Sequence, residues 1–341
     1  MAFGRTAVAI THKAWFHPRS GLKAPQLHET RITPVTMCTN CGEELRGEFC
    51  HGCGQKRFVE SDRRFGHLLQ QFIASATDLD GRIWRTIRAL LFRPGLLSRE
   101  YFDGRRAKWV SPVPLFLAIS VIYFIAPLHG GDLSLQFIQQ VPGNIRALAQ
   151  RPDETLSEAQ RTGTGQSHSR FTVRWIERRV ENRDRLARRA SNGARGYTYQ
   201  DLRAAYDAKA DDVSKALVIL HVPFAALALM AMFARQRRYF AEHFVFGLHF
   251  FAFAMILLQI ILQMRALALL ALPLPWTPPE AMYDWIVRIA LPLYAVLAVH
   301  RAYSTAWSYA LLATTAMLAT VLAFNLYIYR AIQFAITFLL V

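Results

Sequence analysis

The sequence predicts a mainly α protein: a membrane helical bundle of about five transmembrane helices, preceded by a small cysteine-bearing ribbon and an amphipathic interfacial helix. Three observations carry this prediction. Hydrophobic residues make up 53% of the 341 positions and charged residues only 19%, where a soluble chain carries about 25% charge. The charges are segregated, so that long stretches run almost without Asp, Glu, Lys or Arg while the formal net charge of +16 collects before and between them. All four cysteines lie between Cys38 and Cys53, ahead of the first apolar stretch.

Taken in order, residues 1–36 hold five basic residues, one acid (Glu29) and no apolar run long enough for a signal peptide. Two readings stay open for this segment: a disordered basic tail, or a start codon placed upstream of the native Met37. Residues 37–57 contain CTNCGEELRGEFCHGCGQ, with C-x2-C, eight residues, then C-x2-C. A two-residue gap lets both thiolates of a knuckle reach one tetrahedral ion, and Gly42 and Gly54 relax the turn after each pair. The spacing predicts a small structural zinc ribbon with Cys38, Cys41, Cys50 and Cys53 as ligands. Two disulfides or a rubredoxin-like iron site are the competing readings. A disulfide within C-x2-C is strained and staples no long loop, and the insert is far shorter than the one rubredoxin folds around. Thiolate ligation wants a reducing compartment, which puts this end in the cytoplasm.

Residues 58–108 are read as amphipathic juxtamembrane helices. Leu68, Leu69, Phe72 and Ile73, then Ile83, Trp84, Ile87, Leu90 and Leu91, recur at helical intervals, with Arg82, Arg85 and Arg88 beside the second group. Such a helix suits the headgroup layer; packing under the bundle is the plainer alternative. Pro94 and Gly95 end it. Arg105, Arg106 and Lys108 then form a basic step, and Trp109 marks the interface where the apolar residues begin, so these four are the expected lipid or interface contacts.

Five spans follow, at 109–129, 213–234, 243–265, 283–300 and 302–329. The first opens with twenty uncharged residues, enough for a bilayer core. The fourth is the weakest, because Arg288 lies inside it. Residues 330–341 form an apolar extension too short to cross alone, expected to prolong the fifth helix or lie in the interface. Between the first two spans, residues 130–212 form a polar, partly helical loop in which FTVRWIERRVENRDRLARRA is expected as a solvated helix with Glu–Arg pairs. Short basic flanks fix the orientation. Eight basic residues against two acids stand between Arg82 and Lys108, Arg235 to Arg238 separates the second and third spans, and no Lys or Arg occurs in LALLALPLPWTPPEAMYD between the third and fourth. The expectation is a cytoplasmic N-terminus, five crossings and an external C-terminus.

The segment DGRIWRTIRALLFRPGLLSREYFDGRRAKWVSPVPLFLAISVIYFI, preceded by the ribbon, resembles a bacterial family of multi-pass membrane proteins of unknown function. Its members carry an N-terminal CxxC…CxxC zinc ribbon and an R-P-G…E-Y…G-R-R step into the first transmembrane helix. Here those residues are Arg93, Pro94, Gly95, Glu100, Tyr101, Gly104, Arg105 and Arg106. YFAEHFVFGLHFFAF at 239–253 resembles the family's histidine-bearing later span, but Phe251 stands where the family often has a further histidine, which weakens a metal role there. The resemblance implies a bacterial inner-membrane location and leaves the activity open.

Ionisable groups inside spans are functional candidates because burying them is costly. His221, His243, His249 and Arg288 therefore outline a possible polar pathway, while Glu242 and His300 sit near span ends. His243 and His249 are six residues apart, about 120° around a helix, so one face does not offer both to a metal. No GxSxG, HExxH, GxGxxG or GxxxxGK[ST] pattern supports hydrolase, protease or nucleotide chemistry, and no catalytic residue is nominated. The ribbon's few cations (Arg46, Lys56, Arg57) stand among Glu43, Glu44 and Glu48, which argues against nucleic acid. Two functions remain: a non-enzymatic inner-membrane protein whose cytoplasmic ribbon recruits or senses a protein partner, or a small permease or lipid-handling protein using the polar pathway.

Overall fold

The computed structural model describes residues 37–57, 82–125, 135–152, 154–271 and 280–341. The predicted tail at 1–36 and the Leu68–Ile73 stripe lie outside them. The described chain is mainly helical, and its only β pairing is two isolated antiparallel bridges, Met37 with Glu44 and Phe49 with Lys56.

Among the described residues after the ribbon, two short helices come first, α1 (Arg82–Phe92) and α2 (Leu96–Phe102). α1 turns Thr86, Ala89 and Leu90 inward, so Trp84, a member of the predicted apolar stripe, faces out. Small Thr and Ala at that face let α1 approach the bundle closely, and the Tyr294 hydroxyl donates to the Leu90 carbonyl at 2.7 Å. The α1–α2 corner needs Gly95. Its φ is +75°, and a Cβ there would stand 2.3 Å from the Ala298 carbonyl oxygen, so both conformation and space exclude a side chain.

α3 (Pro112–Ile125) carries the described part of the first predicted span. Next comes a set of more polar elements: α4 (Phe137–Gln140), α5 (Gly143–Leu148), α6 (Glu158–Thr162), α7 (Ser169–Ala190) and α8 (Tyr199–Leu217). α8 is capped by Thr198, whose side chain accepts from the Asp201 amide while the Asp201 carboxylate receives the Thr198 amide, a reciprocal arrangement that satisfies two end donors. A 3-10 turn, Val218–Leu220, joins α8 to α9 (His221–Met232). α10 (Phe240–Ala271), α11 (Glu280–Tyr303) and α12 (Trp307–Ala323) follow, and a π-helical stretch, Phe324–Tyr329, leads into α13 (Arg330–Leu340).

Among the described residues, four helical stretches are long and apolar enough to cross a membrane: Tyr199–Met232, Phe240–Leu267, Trp285–Tyr303 and Trp307–Leu340. The last predicted span was expected from 302, but Ala302 and Tyr303 complete α11, and Ser304 (φ 49°) turns the chain before α12 begins at Trp307. Residues 330–341 continue the same rod as α12.

The core has two parts. One lies within the bundle and draws on α1, α2, α3 and α9 to α12, with Phe116, Leu229, Phe246, Leu248 and Tyr303 among its fully buried side chains. The other belongs to α4, α5, α7 and α8 and contains Phe137, Ile145, Ile176, Leu202 and Tyr206 together with Phe334 and Phe338 of α13. The region read as a polar loop thus has a core of its own, closed by the C-terminal helix.

Candidate functional site: the cysteine ribbon and its seat

The two C-x2-C units fold alike. The Cys38 amide donates to Glu43 O at 2.7 Å and Gly42 to Cys38 O at 2.9 Å; twelve residues on, Cys50 donates to Gln55 O and Gly54 to Cys50 O, both at 2.8 Å. Gly42 and Gly54 take φ of +77° and +72°, the left-handed turn a knuckle needs. The pseudo-twofold repeat brings the four sulfurs together, all within 4.8 Å of one another. Cys38 and Cys53 Sγ stand 3.7 Å apart, and Cys41 and Cys50 Sγ 3.4 Å. A tetrahedral ion with metal–sulfur bonds of about 2.3 Å holds its sulfurs about 3.8 Å apart, so the donor set is compatible with one metal ion. The separations exceed the ~2.05 Å of a disulfide.

The ribbon is seated on the basic step by one side chain. Gln55 is buried; its Nε2 donates to Gly104 O at 2.8 Å and to Thr39 Oγ1 at 2.9 Å. Its Oε1 accepts from the amides of Arg106 at 3.0 Å and Ala107 at 3.1 Å. Thr39 Oγ1 also donates to Gly104 O at 3.2 Å. The carbonyl and two amides of a turn are thereby satisfied by the ribbon.

Beneath that seat the step is held by charge. Arg105 gives Nε and Nη2 to Glu100 Oε1 at 3.0 and 2.7 Å, and Nη2 to Asp103 Oδ2 at 2.8 Å. These carboxylates raise the Arg105 pKa above its usual value, the Glu100 hydrogen bond foremost. Arg106 lies 3.8 Å over the Tyr101 ring, a cation–π contact. Trp109 Nε1 approaches Glu100 Oε2 at 3.5 Å, and Lys108 is exposed.

The intramembrane candidates do not meet in one place. His221 Nδ1 donates to Val218 O at 3.0 Å and its Nε2 accepts from Asn325 Nδ2 at 3.1 Å; its ring lies 6.2 Å from that of Phe251. His243 Nδ1 is 2.9 Å from the Tyr303 hydroxyl. His249 Nδ1 is 3.0 Å from Ser98 Oγ, beside a cavity of about 30 Å³ bordered by Tyr101, Arg105 and Arg106. Arg288 is exposed, its guanidinium 5.5 Å from the Trp285 ring. No two of the four share a hydrogen-bond partner among the described residues. Gln55, the residue with most bonds at the site, was missed by sequence reasoning. Its one signal was its place at the second knuckle, equivalent to Glu43 at the first.

A four-cysteine cluster compatible with a metal ion is thus seated on a bundle whose apolar helices suggest a membrane protein. A family model described as a protein of unknown function (DUF3667) matches residues 80–124, which hold α1, α2, the basic step and nearly all of α3. No curated protein and no solved structure matches the chain.

Proposed function

We propose that this chain is a bacterial inner-membrane protein with five crossings, N-terminus cytoplasmic and C-terminus external. Its zinc-bound ribbon is a fixed cytoplasmic head that recruits or senses a protein partner. The observation that carries this is the Gln55 seat. The ribbon is clamped to the turn entering the first span, yet Met37 and Phe49, equivalent positions ahead of the two knuckles, remain 55% and 61% exposed. Exposed Met and aromatic residues on a rigid module are what a partner surface uses as anchors.

The orientation is supported by the gathering of Arg99, Arg105, Arg106, Arg237, Arg238 and Arg301 around the ribbon end. There Arg301 donates to Pro94 O, Arg99 to Ser304, and Gln236 to Tyr303 O. A fifth crossing would begin with α3. Four thiolates and no water-bearing position make the zinc structural. The permease alternative needs a continuous polar path, and the separate partners of His221, His243, His249 and Arg288 count against it.

The test is a photo-crosslinking residue at position 49 in cells, with zinc measured on the purified chain. A discrete adduct, lost when Cys53→Ser releases about one zinc per chain, is the expected result. Adducts indifferent to metal loss, or protein free of metal when purified under reducing conditions without chelator, would overturn the reading. Reporters after Val341 and at Gln236 check the two sides.

A further inference from the structure

Beside the basic step lies a groove of about 830 Å³ lined by Trp84, Arg85, Arg88, Phe92, Arg93 and Trp109, within the ~300–1,000 Å³ usual for small-ligand sites. Arg85, Arg88 and Phe92 fall on one face of α1 at intervals of three and four residues, and Arg93 follows at its end. Trp109 comes from the turn before α3. That turn is pinned to α1, because the Val110 amide donates to Thr86 Oγ1 at 3.1 Å and Thr86 Oγ1 donates to Arg82 O at 2.8 Å. The wall and floor of the groove are thus built into the fold.

Among the described residues, the charge in this groove is uncompensated. The nearby acids, Glu100 and Asp103, are engaged by Arg105 and Arg99. Among the described residues, no hydrogen bond or ion pair reaches the guanidinium groups of Arg85, Arg88 and Arg93. The aromatic surface is uncovered too: Trp84 is 78% and Phe92 76% exposed, although the opposite face of α1 is buried. An occupant must offer an anion to three guanidinium groups and apolar surface to aromatic rings at once. Inorganic phosphate meets only the first demand and a neutral lipid only the second.

We propose that this groove binds an anionic phospholipid of the phosphatidylglycerol class, its phosphodiester among Arg85, Arg88 and Arg93 and its upper acyl chains against Trp84, Phe92 and Trp109. Position favours this occupant. Trp109 stands just before α3, whose Val121, Ile122 and Ile125 are exposed apolar residues, so the groove opens at the depth where headgroup gives way to hydrocarbon. Arginine forks match phosphate oxygens bidentately. The inference rests on the membrane reading above and does not depend on the ribbon's role.

Native mass spectrometry on the full chain, delipidated in a neutral detergent, tests it by titration with phosphatidylglycerol, phosphatidylcholine and inorganic phosphate in separate arms. The expected result is a retained phosphatidylglycerol adduct, no phosphatidylcholine adduct at equal concentration, and no displacement by millimolar phosphate. Arg85→Gln, Arg88→Gln and Arg93→Gln together should weaken the adduct by at least about tenfold (~1.4 kcal/mol). Arg174→Gln, Arg178→Gln and Arg189→Gln, exposed on α7, should leave it unchanged. If the groove triple variant does not fold, Arg88→Gln alone decides, with an expected loss of about fivefold. Equal binding of the two lipids, displacement by phosphate, or a groove variant that binds like the unaltered chain would overturn the proposal. A chain that fails to partition into membranes would instead sink the membrane reading beneath it.

Discussion

Replacing Gln55 by alanine removes the ribbon's seat without touching a cysteine. Four hydrogen bonds go, to Gly104 O, Thr39 Oγ1 and the amides of Arg106 and Ala107. Gly104 O keeps the Thr39 hydroxyl, so the main cost is two partly buried amides left without an acceptor. At about 1–2 kcal/mol each, docking should weaken by about 2–4 kcal/mol. The knuckle itself uses the Gln55 backbone carbonyl, which accepts from Cys50, so metal content should not change. Hydrogen exchange at the Arg106 and Ala107 amides is the assay, since exchange by local opening reads the lost free energy directly. Acceleration of at least about thirty-fold is expected at both. Gln55→Glu should fall between the two: its carboxylate still accepts from both amides but sets an oxygen against Gly104 O, where the amide donated at 2.8 Å. Unchanged exchange at 106 and 107 in the metal-loaded alanine variant would show that the ribbon does not rest on this side chain.

Three further outcomes are expected. Gly95→Ala should destabilise the detergent-solubilised chain by about 3 kcal/mol or more, read as a fall in Tm, because both φ and the Ala298 backbone resist a Cβ; an unchanged Tm would mean that the α1–α2 corner is not packed on α11. Arg105→Lys should cost only about 0.5–1 kcal/mol, since the fork to Glu100 and Asp103 is partly solvated, and high salt should shrink the difference. Glu154 has its pKa lowered, chiefly by its hydrogen bond to Arg203. A lowered folded pKa stabilises above the unfolded value and is lost as pH falls through the folded one, so the stability of the α4–α8 region should decline below about pH 4.5, the ordinary carboxyl value. Glu154→Gln should remove that decline, and a pH profile unchanged by the substitution would exclude the pair as its source.

Some of this was legible in the sequence for a physical reason: the signals were local. The C-x2-C spacing sets where sulfurs converge, and the apolar runs set where helices cross, because each depends on neighbours in the chain. The 169–190 helix announced itself by its Glu–Arg spacing. Gln55 was illegible, because its partners are some fifty residues away and a glutamine after a knuckle has no periodicity. The second core was illegible for another reason. Phe137, Val141 and Ile145 arrive singly among polar residues, and their partners Phe334 and Phe338 sit in an apolar segment that hydropathy counts as membrane. Apolar length does not distinguish a side chain facing lipid from one facing protein.

That ambiguity bears on His221. The stretches Tyr199–Met232 and Trp307–Leu340 are 34 residues each, about 51 Å as helix, where a hydrocarbon core of about 30 Å uses about twenty residues. Each is therefore longer than one crossing needs, and α8 and α13, their outer halves, pack together. Both chains depart from α-helical pitch at the junction, by a 3-10 turn at Val218–Leu220 and a π stretch at Phe324–Tyr329. His221 bridges the two departures: Nδ1 donates to Val218 O on one side and Nε2 accepts from Asn325 on the other, while the Tyr329 hydroxyl donates to Ser214 O at 3.2 Å. Irregular turns at membrane depth leave backbone groups that lipid does not satisfy. A histidine with both nitrogens committed, one of them to such a carbonyl, is a tie between two irregular helices, and the cost of burying it is accounted for without a transported ion.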